Sequence, residues 1–264
     1  MIYTISNQKG GVGKTTMTLN LGASLAKMGY KVLLCDLDPQ ANLTMALGYQ
    51  QPDELHVTIS DIIQEIIRDG FNPEHSELLR ERKYILNNLG MDIVPSSIDL
   101  IGMENIMFPK ISRENVLKKF INYIKDDYNV ILIDTMPSLN LLTINALNAA
   151  NRVLIPMQPQ FFSAKGLELL LSTIANVKKS LNPNLGIAGV LVTMYDNRLN
   201  FHKEVLGTVH ETYGEYIHIF ETKIPISVRV TETQARAQSI FEHDPNGKIA
   251  ESYQLFVKEL LQNG

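Results

Sequence analysis

Residues 7–16 read NQKGGVGKTT, which places three glycines, two lysines and two threonines within ten positions. Gly10, Gly11 and Gly13 lack a Cβ, so the backbone can turn tightly and bring its N–H groups against phosphate oxygens. A helix opening directly behind such a turn adds the positive end of its dipole. From this loop Lys14 can reach the β- and γ-phosphates of a nucleotide, and the Thr15 hydroxyl can ligate Mg²⁺. Val12 and Thr16 complete the cradle. The run departs from the common G-x-x-x-x-G-K-[ST] spacing, because Gln8 stands where the first glycine belongs and Lys9 adds a second cation. A glycine-rich turn that binds nothing is the plain alternative. The coincidence of glycines, a Lys-Thr pair and a strand–helix setting argues against it.

Three carboxylates could serve the same ligand. The string CDLDPQANLT, residues 35–44, carries Asp36 and Asp38 at the end of an aliphatic run. Carboxylates at that point order the waters of Mg²⁺ or position an attacking water. Asp36 is equally well explained as the cap of the next turn. Residues 130–134 read VILID, four apolar positions that deliver Asp134 to the metal edge. That pattern is common by itself and gains weight behind a phosphate loop. Thr15, Asp36 and Asp134 are therefore the candidate metal residues.

Short aliphatic strands at 2–6, 31–36, 130–134, 152–157 and 187–194 would position these groups. Helical patterns fill 15–28, stopped by Gly29, and 112–125, 139–149, 164–180, 201–213 and 248–262. Continuous apolar strands separated by such helices predict a mostly parallel, twisted sheet flanked by helices, with ligands bound beyond the carboxyl ends of the strands. The expected fold is α/β, a single P-loop NTPase domain over residues 1–264. Residues 58–67 look like an amphipathic helix and 69–81 are polar, so 50–81 reads as a surface insertion. Hydrophobic residues make up 45% and charged residues 20%, a soluble globular balance. The single Cys35 excludes an internal disulfide framework and is compatible with a reducing cytoplasm. No apolar stretch is long enough to span a bilayer. The net charge of −4 means that any nucleic-acid binding must come from a local basic patch.

The string from Lys9 to Thr15, KGGVGKT, resembles the deviant Walker A motif of the ParA/MinD/Soj family of ATPases. The resemblance implies ATP and Mg²⁺ as ligands. It also implies a catalytic Lys9 that reaches the nucleotide of a partner subunit, hence a homodimer closed around ATP; an exposed loop lysine is the alternative. Asp38-Pro39-Gln40-Ala41-Asn42 is similar to the family's switch segment, which implies a water-activating role for Asp38 and puts Asn42 near the metal. After the third strand the family more often reads Asp-x-Pro-Pro-Ser-Leu; here Met136 replaces the first proline, which bears on loop stiffness.

Later segments resemble the ParA/Soj partition branch: 189–198 (GVLVTMYDNR), 223–229 (KIPISVR) with Thr231-Glu232-Thr233, 241–245 (FEHDP) and 247–253 (GKIAESY). The usual alanine-proline-serine-histidine-glycine run is replaced by Gln234–Ser239. The first strand begins at residue 2, as in the short Soj-like type without a helix-turn-helix domain. The resemblance implies a cytoplasmic, nucleoid-associated partition ATPase for a plasmid or chromosome. Its ATP dimer would bind DNA without sequence preference through Arg198 and Arg229, and a ParB-like, centromere-binding partner would stimulate hydrolysis. Lys203, Lys223 and Arg236 rank lower. The alternative is that the arginines pair with Asp196, Glu204 or Glu232. Met194 and Pro225 are placed near the adenine.

Three rivals are weighed against this. A MinD-like membrane ATPase needs a basic amphipathic end, and 250–261 carries only Lys258 as a cation, so it reads as a helix docked on the core. A nitrogenase-iron-protein-like reductase needs cluster thiolates that one cysteine cannot supply. A metabolic enzyme on the same scaffold stays open, with the Arg198 and Arg229 contexts against it. The six histidines lack metal-ligand spacing and read as surface or packing residues. Phe161 and Phe162 are expected to pack, with the dimer seam as the alternative.

Overall fold

The computed structural model describes residues 1–160 and 163–263; Phe161 and Phe162 lie outside them. The strands are β1 (Ile2–Ile5), β2 (Val32–Leu37), β3 (Leu86–Asn88), β4 (Met91–Val94), β5 (Val130–Thr135), β6 (Arg152–Met157), β7 (Gly186–Tyr195) and β8 (Ile219–Pro225). Among the described residues they form one eight-stranded sheet in the order β3-β4-β2-β5-β1-β6-β7-β8. Only the β3–β4 pair is antiparallel.

The helices are α1 (Lys14–Lys27), α2 (Asn42–Ala46), α3 (Ile59–Asp69), α4 (Glu77–Glu81), α5 (Leu100–Met107), α6 (Val116–Ile124), α7 (Leu141–Ala149), α8 (Ser163–Ser180), α9 (Asn200–Tyr213), α10 (Arg229–Ala235), α11 (Ile240–His243) and α12 (Lys248–Gln262). Successive strand side chains point to opposite faces, and this sorts the core into two layers. Leu33, Cys35, Ile131, Ile133, Val153 and Ile155 pack under α3 and α5–α9. Val32, Leu34, Leu132 and Leu154 pack under α1, α2, α11 and α12. Helix α1 ends where expected: Gly29 has φ +87°, and Tyr30 N donates to Leu25 O at 3.1 Å, a left-handed cap.

The structure differs from the sequence expectation in several places, among them the short helices α2, α5, α10 and α11, which the expectation lacked. The 50–81 stretch is not a surface insertion. Ile59, Ile62, Ile63 and Ile66 of α3 are buried in the core, and Thr58 and Asp61 form a capping box at its start. Residues 86–94 form a hairpin whose two-residue turn is Leu89-Gly90, with φ +54° and +71°. Leucine in that turn hides the Asn-Gly signal that normally announces it. Strand β8 carries Glu221, Thr222 and Lys223 mid-strand, which an edge strand tolerates and a periodicity reading passes over. Helix α12 docks as expected: Tyr253, Phe256, Val257 and Leu260 are buried, while Leu261 stays exposed.

Between β6 and β7 the register shifts, with Val153 opposite Ile187 and Leu154 opposite Gly189. Gly189 has φ +150°, and a Cβ there would lie 2.8 Å from His218 O and 2.7 Å from the Phe220 ring. Gly189→Ala is therefore expected to destabilise the fold by about 2 kcal/mol. A chain of this size would then melt roughly 5 °C lower. An unchanged melting temperature in a thermal scan would refute this account of the bulge.

Candidate functional site

Residues 6–13 connect β1 to α1, and the loop is held in shape from outside as much as from within. Gly11 and Gly13 have φ +72° and +86°, a region closed to most side chains. Asn7 Nδ2 donates to Pro156 O at 2.7 Å, and Asn7 Oδ1 accepts from Lys9 N at 3.0 Å. Gln158 Nε2 donates to Gly11 O at 2.8 Å, and Thr193 Oγ1 donates to Val12 O at 2.8 Å. Gln158 follows β6 and Thr193 lies in β7, so the two adjacent strands clamp the loop. Sequence reasoning missed both. Their only signal is a polar residue at or just beyond the end of an aliphatic run, directed at the sheet edge where loops gather.

The Lys14 side chain folds back over the loop, 7% exposed, and its Nζ donates to Lys9 O at 3.3 Å. Burial lowers its pKa, opposed by the charges of Asp134 and Asp38. Thr15 Oγ1 donates to Asp134 Oδ2 at 2.7 Å, and Thr18 Oγ1 donates to Asp134 Oδ1 at 3.3 Å. Strand β5 lies between β1 and β2, so Asp134 stands opposite Ile5 on one side and Asp36 on the other. Burial pushes the Asp134 carboxyl above its ordinary range, and the neighbouring Asp36 adds to the rise. A buried carboxylate beside a hydroxyl, both oxygen donors, fits a hard cation that keeps most of its waters, as Mg²⁺ does. Among the described residues no group of three His, Cys, Asp or Glu side chains could hold a metal without a ligand's help.

Asp36 is fully buried and accepts from Asp38 N at 3.1 Å, Thr44 N at 2.9 Å and Thr44 Oγ1 at 2.8 Å. Burial pushes its pKa up to about 6, against those hydrogen bonds. Asp38 follows β2 and is buried; its Oδ1 accepts from Gln40 N at 2.9 Å. Asn42 opens α2 and is exposed. Lys9 Nζ donates to Gln160 Oε1 at the mouth of the loop.

Beside Gly13 and Thr16 lies a cavity of about 310 Å³, walled by Met194, Pro225, Val228 and Tyr253 among others. The two residues expected near the adenine therefore meet next to the phosphate loop. A mostly apolar slot of this size suits a flat base. Arg198 and Arg229 sit farther along the same two chain segments. Arg198 Nε and Nη2 contact Asp196 at 3.0 and 2.7 Å, and Arg229 Nη1 contacts Glu232 at 3.2 Å. Of the partners named as alternatives for these arginines, Asp196 and Glu232 are thus engaged, and among the described residues Glu204 pairs with neither. Both side chains are mostly solvent-facing, 83% and 56% exposed, where an ion pair contributes little.

A largely parallel sheet, a glycine-rich loop opening α1 and a Thr15–Asp134 pair at its edge define a P-loop nucleotide-binding protein. An AAA-domain family model matches residues 1–187. The sporulation initiation inhibitor protein Soj of Bacillus subtilis (strain 168) is 40% identical over 263 residues, covering 100% of this chain and 99% of that protein. The chromosome-partitioning ATPase Soj of Treponema pallidum (strain Nichols) is 38% identical over 261 residues, with 97% and 94% covered. Among solved structures, cobyrinic acid a,c-diamide synthase from Mycobacterium smegmatis with bound ATP analog and magnesium superposes with a TM-score of 0.83. It is 32% identical and covers 99% of this chain and 94% of that one. The chain belongs to the Soj/ParA family of ATPases. Among the described residues no helix is long and apolar enough to cross a membrane.

Proposed function

We propose that this ATPase partitions DNA: an ATP-bound homodimer holds DNA without sequence preference, and hydrolysis, stimulated by a ParB-like centromere-binding partner, releases it. Lys14 neutralises the β- and γ-phosphates, the backbone of residues 10–16 surrounds them, and Lys9 reaches the partner's nucleotide. Thr15 and Asp134 hold Mg²⁺, which when bound withdraws charge from the phosphate oxygens. Asp38 orients the attacking water. The cycle runs in the cytoplasm, on the nucleoid while ATP is bound.

One observation carries the DNA-binding part. Residues 194–198 and 225–229 each begin at the wall of the base cavity and end in an exposed arginine. Nucleotide occupancy and the cationic surface therefore share the same backbone. A second cavity of about 570 Å³ adjoins them and is lined by Arg198, Lys223 and Lys248. An acidic chain has to concentrate its cations in this way to hold a polyanion, and guanidinium pairs well with phosphate. Each arginine occurs twice in a dimer, so monomers bind weakly by comparison.

Arg198→Glu and Arg229→Glu are each expected to abolish the ATP-dependent shift of a random DNA fragment, with ATP binding retained. Wild-type retardation should fall steeply with added salt, as phosphate contacts require. Wild-type shifts from both variants at moderate salt would put the DNA surface elsewhere. Co-sedimentation with anionic liposomes instead of DNA would favour the membrane-positioning alternative.

A further inference from the structure

The Asp36 carboxylate is placed as a clasp. Its Oδ1 accepts the Asp38 N–H, and its Oδ2 accepts both the N–H and the hydroxyl of Thr44. The Thr44 hydroxyl in turn accepts from Ser96 N at 3.0 Å, just beyond β4. Asp36, Thr44 and Ser96 are all fully buried, so none of these bonds competes with water. One carboxylate and one hydroxyl thus join the ends of β2 and β4 to α2. The five residues between the two anchored N–H groups, 39–43, form a closed turn. Ala41 N donates to Asp38 O at 2.8 Å, and Ala41 has φ +51°. A non-glycine residue in that region is held there by its surroundings.

Both sides of the clasp are acceptor-only, which an ionised carboxylate satisfies; an amide at position 36 would turn an NH₂ toward an N–H. The hydroxyl at position 44 works in both senses, donating to Asp36 and accepting from Ser96. Valine has its shape and neither function.

We infer that Thr44 is a positioning residue for ATP hydrolysis: clasped to Asp36 and Ser96, it sets the turn that holds Asp38 in place. This rests on reading Asp38 as the group that orients water. Phosphate contacts come from residues 10–16, on a different loop, so a loosened clasp slows the chemical step and leaves nucleotide affinity alone.

The test compares full-length Thr44→Val and Thr44→Ser for phosphate release, labelled-ATP binding and melting temperature. Thr44→Val is expected to lower kcat by about tenfold or more, in line with the cost of misplacing a catalytic group by an ångström. ATP affinity should stay within about twofold of wild type. Thr44→Ser, which keeps the hydroxyl, should recover most of the rate. Combined with Asp38→Ala, Thr44→Val should add no further loss, because the group it positions is gone. If Thr44→Val does not fold, Thr44→Ala, which puts no methyl against the carboxylate, allows the same comparison. A wild-type kcat in the variant, a serine variant as slow as the valine one, or losses that multiply in the double variant would each overturn the inference. If Asp38→Ala alone hydrolyses at the wild-type rate, the role of Asp38 fails first, and that single variant reveals it.

Discussion

Lys14→Gln is expected to remove ATP binding. Among the described residues Lys14 is the one lysine or arginine buried from solvent, and its ammonium lies folded back over the phosphate loop against the Lys9 carbonyl. With no phosphate present its ammonium has the Lys9 carbonyl and the charges of Asp134 and Asp38 for company. A triphosphate offers it a stronger partner. Each charge-assisted hydrogen bond to phosphate is worth about 1.5–3 kcal/mol. Loss of the contacts to two phosphates should therefore weaken binding by roughly a hundred- to a thousandfold or more, about 1.4 kcal/mol per decade. The neutral glutamine also removes the ammonium whose charge is set against Asp134 and Asp38. The same variant removes the cost of burying an ammonium, so the nucleotide-free protein should melt no lower than wild type. Saturating ATP stabilises the wild type by about 2.7 kcal/mol at a hundredfold excess over Kd, and that gain should vanish in the variant. Labelled-ATP binding and thermal scans with and without ATP measure both effects. Wild-type affinity in Lys14→Gln would remove the basis for the phosphate-loop assignment.

Asp38→Ala should do the opposite: ATP stays bound and turnover stops. Asp38 stands just past β2, its Oδ1 accepting from Gln40 N and its backbone N–H anchored by Asp36. It belongs to neither the loop at 10–16 nor the wall of the cavity beside Gly13 and Thr16. A carboxylate that orients or deprotonates water acts in the transition state, so its loss lowers kcat and spares ground-state binding. Removal of such a group costs about a hundred- to ten-thousandfold in rate. On the proposed dimer cycle the variant should also accumulate as the ATP dimer, because the hydrolysis that would reopen it is blocked. Phosphate release and size-exclusion chromatography with ATP read the two consequences separately. Loss of ATP binding together with the dimer would give Asp38 a structural role in the β2–α2 turn instead.

Where a property depended on consecutive residues, it could be read from the string. Backbone freedom at Gly11 and Gly13, an aliphatic run ending in Asp134 and a helix stopped at Gly29 are local constraints, and each appears in the structure close to its expected place. Strand 152–157 and helix 248–262 match to the residue, because both are long and strongly periodic. Contacts between distant segments were decided by the tertiary fold. The sheet order puts β5 between β1 and β2, and that alone brings Asp36, Asp134 and Thr15 into one cluster. Gln158, Thr193 and Thr44 are ordinary polar residues by type, and their importance lies in which carbonyl or carboxylate the folded chain sets before them. Helix α3 looked peripheral because its amphipathic stripe shows that one face is buried without showing against what. Arg198 and Arg229 carry the same lesson. The family resemblance implied a cationic patch for them, but the ion pairs each makes there, and its nearness to the cavity beside Gly13, follow from how β7 and β8 pair at the sheet's edge.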